Sequence, residues 1–180
     1  MDSMKKAIVR LSELDDLFLS SNDPYLAHEG ARKLLIDCVH DQTFLPTVMR
    51  QHLLEAETYN HRRKAPAVEF VIESNPYYTL VANCWIPRDD RDTQFSHQSV
   101  HHHGTLLLST VALQGPGYET WNFTKPEPIR GKDLLFNMSL TYAGHHTVGN
   151  LVFVDAFIHT SSSIRNGSPS RCACGVTGRP

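Results

Sequence analysis

The hydrophobic period of this 180-residue chain changes near residue 65, and that change limits the folds open to it. Before it, Leu11, Leu14, Leu17 and Phe18 recur at helical spacing, and Ser20, Ser21, Asn22, Asp23 and Pro24 close the run. Asp23-Pro24 then caps and starts a second helix carrying Leu26, Leu34, Leu35 and Val39. A third runs from Leu45 to about Tyr59, with Val48, Leu53 and Leu54 on one side. From Ala65 the apolar runs are short, β-branched or aromatic, and broken by Pro, Gly and Asn: AVEFVIES, YYTLVANCWI, TLLLSTVAL, YETWNF, DLLFNMSL and NLVFVDAFI. Helices followed by strands predict an α+β chain whose strands form a sandwich or small barrel. The expected division is a helical segment over 1–64 that packs on the barrel, a barrel over 65–160, and a tail over 161–180. That tail holds five serines, three glycines, two prolines, three arginines and no acid, a composition that predicts flexibility.

Charge and cysteine content exclude several classes. Lys plus Arg number 17 against 19 Asp plus Glu, so no basic surplus suggests a nucleic-acid partner. No stretch approaches 18 uninterrupted apolar residues, and the opening MDSMKKAIVRLSELDDLFLSS places acids where a signal peptide needs an apolar core. A chain of this length buries roughly two-thirds of its unfolded surface without metal or disulfide support. Cys38, Cys84, Cys172 and Cys174 show no zinc-site or disulfide-framework spacing; Cys38 and Cys84 are expected to pack as small hydrophobes in a reducing cytoplasm. Cys172-Ala173-Cys174 holds two thiols, too few for a structural metal site.

Histidine is the unusual residue. There are 11, six of them between His97 and His146. In His101-His102-His103, directly before an expected strand Thr105–Leu113, alternation puts His101 and His103 on one face and His102 on the other. Two imidazoles so placed can meet one cation, and a polar strand edge shows the same pattern. A second segment, Ala143-Gly144-His145-His146-Thr147-Val148-Gly149-Asn150, follows the expected strand Leu134–Thr141. Either of its histidines is open to a role as a third ligand or as an exposed loop residue.

These spacings resemble the cupin superfamily, a small β-barrel with two sequence motifs. His101-x-His103, four residues, Leu108, six residues and Gly115 follow the first motif, and His146, three residues and Asn150 follow the second. Leu108 stands where the motif has a glutamate ligand, Phe95 stands at its leading glycine, and the second motif's Pro-x-Gly is out of register. Three histidines without the glutamate resemble the cysteine dioxygenase branch. Asn83-Cys84-Trp85, Leu113-Gln114-Gly115 with Glu119-Thr120, and His146-x-Val148-x-Asn150 are similar to stretches of that branch, across about residues 70–160.

The resemblance implies a mononuclear site with His101, His103 and His146 as ligands, and Fe(II) as the ion; Zn, Ni or another divalent ion suits the same nitrogens. It implies a dioxygenase-like enzyme acting on a small molecule, a thiol among the candidates, with O₂ as co-substrate. His159 and Tyr142, with Tyr118 and Glu119, are the expected supporting residues around the ligands. Where the branch carries a substrate-binding arginine, this chain has Ala67-Val68-Glu69-Phe70, so Glu69 favours an amine, amide or neutral thiol; Arg88 and Arg91, in the long stretch before His101, are substitutes for that arginine. A non-oxidative metal cupin (isomerase or lyase), a ligand-binding cupin without turnover, and an inactive truncated form are the alternatives. Oligomeric state is left open.

Overall fold

The computed structural model describes residues 2–54, 62–64, 67–85, 101–102, 104–163 and 171–178. Three helices come first: α1 (Asp2–Ser20), α2 (Pro24–His40) and α3 (Phe44–Leu54). Their boundaries are local chemistry. The Asp23 carboxylate accepts the Tyr25 N–H at 2.8 Å and Pro24 occupies the first turn, so α2 begins where an orphan donor is satisfied and no N–H is wasted. Asp41 ends it and accepts from the Thr43 N–H and hydroxyl, turning the chain into α3. The expected third helix ran to about Tyr59; α3 closes at Leu54, and residues 55–61 lie outside the described residues.

Strands follow: β1 (Arg62–Lys64), β2 (Ala67–Ser74), β3 (Tyr78–Trp85), β4 (His101–His102), β5 (Leu107–Gln114), β6 (Tyr118–Phe123), β7 (Glu127–Pro128), β8 (Phe136–Asn137), β9 (Leu140–His146), β10 (Leu151–Val154), β11 (His159–Ser163) and β12 (Arg171–Gly178). The larger sheet has the order β1-β2-β3-β12-β5-β10, the smaller β4-β11-β6-β9, and β7-β8 is a separate hairpin. From β3 onward the chain crosses between sheets, β3, β5, β10 and β12 in the larger and β4, β6, β9 and β11 in the smaller. Eight strands so wound make a jelly roll, the double-stranded β-helix of cupin-type barrels. The expected α+β class, helices ahead of such a barrel, is the one found.

Helices cover one face of the larger sheet. Leu14, Phe18, Ala31 and Leu35 pack with Tyr78, Leu80, Val111, Cys174 and Val176, and Leu45 packs with Phe70, Ala82 and Cys84. By alternation the intervening residues, among them Glu69, Asn83, Leu108, Thr110 and Ala112, turn to the other face, towards the smaller sheet. One polar pair sits within the helix–sheet layer: His28 Nδ1 lies 2.9 Å from Ser109 Oγ, and His28 is 1% exposed.

The tail expectation is overturned. Residues 171–178 form β12, paired with β3 on one side and β5 on the other, at the middle of the larger sheet. The twenty-residue average concealed an eight-residue strand, Arg-Cys-Ala-Cys-Gly-Val-Thr-Gly, whose small residues suit a position covered on both faces. A Cβ on Gly175 would meet Leu108, the Ser109 carbonyl and Thr110 at 3.3 Å each. The cysteine expectation changes too. Cys38 and Cys174 are free and buried, but Cys84 is disulfide-bonded, and Cys172 stands opposite it in the ladder. Spacing along the chain could not show which distant strands the register sets side by side.

DLLFNMSL is not one strand. Leu134 adopts φ 62 and is 91% exposed, β8 is two residues long, and β9 starts afresh at Leu140. No described helix is long and apolar enough to cross a membrane.

Candidate functional site

The inner face of the smaller sheet is polar. Tyr118, Thr120 and Asn122 on β6 stand opposite His146, Gly144 and Tyr142 on β9, and Thr160 on β11 stands opposite Asn122. Thr120 and Thr160 are buried, and His146 is 1% exposed. The strand β6 therefore turns polar residues inward and Trp121 and Phe123 the other way, an inversion of the usual alternation.

His146 is the best-defined group. Its Nε2–H donates to the Asn150 carbonyl at 2.7 Å, which leaves the lone pair on Nδ1, and Nδ1 is buried with no hydrogen-bond partner among the described residues. Burial lowers its pKa, and the carbonyls of Asn150 and Thr110 oppose that shift. The Tyr118 ring meets the imidazole edge-to-face, with centroids 4.7 Å apart. Burial pushes the Tyr118 hydroxyl up to about 12, against a hydrogen bond with the Thr110 side chain that lowers it.

Two glycines make this packing possible. Gly117 has φ +80°, and a Cβ there would fall 2.3 Å from the His146 carbonyl oxygen. The turn between β5 and β6 can thus close directly on His146. Gly144 has its Cβ space filled by the Tyr142 hydroxyl, so the Tyr142 side chain lies along β9 on the face that His146 shares.

The sequence left the choice between the two adjacent histidines open, and the structure separates them. His145 turns outward: its Nδ1 lies 3.3 Å from Glu119 Oε1 and its Nε2–H donates to the Pro116 carbonyl at 2.7 Å. His146 alone enters the barrel.

The other expected residues are placed unevenly. Tyr118 and Tyr142 share the inner face with His146. Glu119 does not, since it pairs with His145 outside. His159 alternates with buried Thr160 and so lies on the outer face, its Nδ1–H donating to the Phe157 carbonyl at 3.1 Å; it is not a supporting residue of the lumen. Glu69 stands opposite Asn83, on the side of β2 away from the helices. His103, Arg88 and Arg91 lie outside the described residues, and for His101 the backbone alone is described.

The ladder does not set His101 beside His146. His101 pairs with Thr160, whose row continues through Asn122 to Tyr142, four positions short of His146. In a flat sheet that is about 13 Å along the strand and about 14 Å across three strand spacings. Among the described residues no group of three His, Cys, Asp or Glu side chains converges on one point. Residue-by-residue reading missed Thr110, Thr120, Asn122 and Thr160; the polar alternation Tyr118, Thr120, Asn122 was the available signal.

No family model matches the chain, and no curated protein does. Similar solved structures include the cupin domain of Cnp3 from Schizosaccharomyces pombe, at 7% identity over 70% of this chain and 72% of that one, with a TM-score of 0.43. An RmlC-like cupin from Shewanella frigidimarina NCIMB 400 is 10% identical over 67% of this chain and 82% of that one, with a TM-score of 0.39. Hydroxypropylphosphonic acid epoxidase from S. wedmorenis is 11% identical, with a TM-score of 0.39; the match covers 62% of this chain and 50% of the epoxidase.

Proposed function

We propose that the chain is a metal-dependent jelly-roll oxidoreductase that oxidises a small molecule with O₂, with Fe(II) held by His101, His103 and His146. His146 carries the reading. Its Nε2–H is committed to a carbonyl and its Nδ1 lone pair is buried with no partner among the described residues, which is how a ligand histidine is held by its outer partner. Held by three neutral imidazoles, such an ion would keep its charge and would supply the O₂ chemistry.

The chain's own residues orient and exclude. Tyr118 walls one side of the imidazole and remains a neutral phenol throughout the physiological range, so it serves as a donor and not as a base. Tyr142, laid over Gly144, brings a second phenol to the same face. Glu69, on the inward-turned side of β2, favours an amine or a neutral thiol over a carboxylate. Shared ligation sets one geometric condition. β4 and β9 are the edges of the smaller sheet, so a shared ion requires that curvature bring those edges together and that strand tilt remove the offset of about 13 Å along them.

The test is elemental analysis of anaerobically purified protein with alanine at each of His101, His102, His103 and His146. Near-stoichiometric iron, lost in the His101, His103 and His146 variants and kept in the His102 variant, is the expected result. Metal retained in His146→Ala overturns the shared centre. Zinc or nickel in place of iron overturns the oxidative chemistry, and no metal after reconstitution leaves a ligand-binding barrel.

A further inference from the structure

The hydrogen bond that holds His146 grips one end of its ring. Nε2–H is tied to the Asn150 carbonyl at 2.7 Å, and a ring tied at one atom can still tilt about it and swing Nδ1 aside. A metal-binding group has to be held within about 10–20° of its working direction. The second restraint is the Tyr118 ring, which meets the imidazole edge-to-face with centroids 4.7 Å apart. Tyr118 turns about its own side-chain bonds, so it restrains His146 only as firmly as it is itself restrained.

Thr110 supplies that restraint. The Tyr118 and Thr110 side chains are hydrogen-bonded, and Thr110 Oγ1 donates to the Cys174 carbonyl at 3.2 Å. A hydroxyl carries a single proton. With the Thr110 proton given to Cys174, the Tyr118 O–H donates and Thr110 Oγ1 accepts. The Tyr118 proton therefore stays within the protein, and what the site receives from Tyr118 is the ring. Gly175 stands opposite Thr110 in the ladder, and a Cβ there would come within 3.3 Å of Thr110 Cβ, so the glycine leaves that side chain its place. On the other side of Thr110, β10 carries Val152. Valine has the shape of threonine without the hydroxyl, and the hydroxyl is what joins β12 to Tyr118.

We propose that Thr110 is a positioning residue for His146, acting through Tyr118. Support runs from the Cys174 carbonyl on β12 to the Thr110 hydroxyl on β5, the Tyr118 ring on β6 and the His146 imidazole on β9, so the last strand of the barrel steadies a ring in the opposite sheet. Its purpose rests on the reading of His146 as an iron ligand, whereas the support itself is tested without metal.

NMR of metal-free protein carrying isotope-labelled histidine is the test, because an aromatic ring displaces the resonances of protons lying against it. The His146 ring protons should resonate away from ordinary histidine positions in the parent and move back towards them in Thr110→Val. Thr110→Ser, which keeps the hydroxyl, should restore the parent positions. Tyr118→Phe breaks the same bond from its other end and should move them as Thr110→Val does; it decides alone should Thr110→Val misfold. Resonances unmoved in Thr110→Val or in Tyr118→Phe, or moved as far in Thr110→Ser, overturn the proposal. Titration with Co(II), counting only the binding lost in His146→Ala, gives the second readout: about tenfold weaker in Thr110→Val and within about twofold of the parent in Thr110→Ser. Equal affinity in the parent and Thr110→Val also overturns it. A parent that binds no cobalt removes the ligand reading instead, and the resonances still decide whether Thr110 holds the ring.

Discussion

His28 shows how a single side chain can govern acid tolerance. Its imidazole is enclosed between Phe18 and Phe153, bonded to Ser109 Oγ through Nδ1, and without a partner at Nε2 among the described residues. Burial pushes its pKa down to about 4 from the ordinary 6.5. Between those values the unfolded chain binds the proton and the folded one does not. Its contribution is therefore complete above about pH 6.5 and is lost as the pH falls towards 4, at up to about 1.4 kcal/mol per pH unit. Melting temperature followed from pH 7 to 4 should fall more steeply for the parent than for His28→Leu; parallel curves would remove His28 as the cause. Gly117 is the second such position. Gly117→Ala meets both a left-handed backbone and the His146 carbonyl, and should cost on the order of 1–3 kcal/mol. A thermal midpoint within a degree of the parent would show that the turn relaxes freely. At this scale the sequence was informative about residue type but not about direction. Two adjacent histidines look alike on paper, and only the pleat of β9 sends His145 to Glu119 and His146 inward.

Elements were legible where their ends are set by neighbours in sequence. Asp23 and Pro24 announce the start of α2 because the cap and its N–H lie two residues apart. β12 was not legible, because what stabilises it is remote: its partners β3 and β5 supply both ladders, and its small residues answer to crowding that no local window contains. Gly175→Val should therefore act as overpacking, with a loss of about 1–3 kcal/mol. In urea this should appear as a lower midpoint with an unchanged slope. A variant as stable as the parent would mean that Leu108 and Thr110 have room to move. The Leu134–Thr141 run misled for the opposite reason: its apolar residues are real but unburied, so composition mimicked a core strand that the hairpin does not form.

For the molecule as a whole, the order of helices and strands foretold the class, since a helical layer and a two-sheet barrel are what those periods can bury against each other. The candidate site was half legible. His146 and its Asn150 were marked by spacing, whereas the polar face of β6 needed the register to be seen, and the ladder distance from His101 to His146 belongs to no motif. The placement of β12 has a consequence for how such a chain comes into being. Gly178 pairs with Tyr78, a hundred positions upstream. While a ribosome is still supplying the intervening stretch, β3 and β5 have no strand between them, and each holds a bare ladder towards the cell. Such an intermediate is adhesive at its centre as well as at its rim. The interval before β12 arrives, and not the finished barrel, is when this protein would most depend on a chaperone.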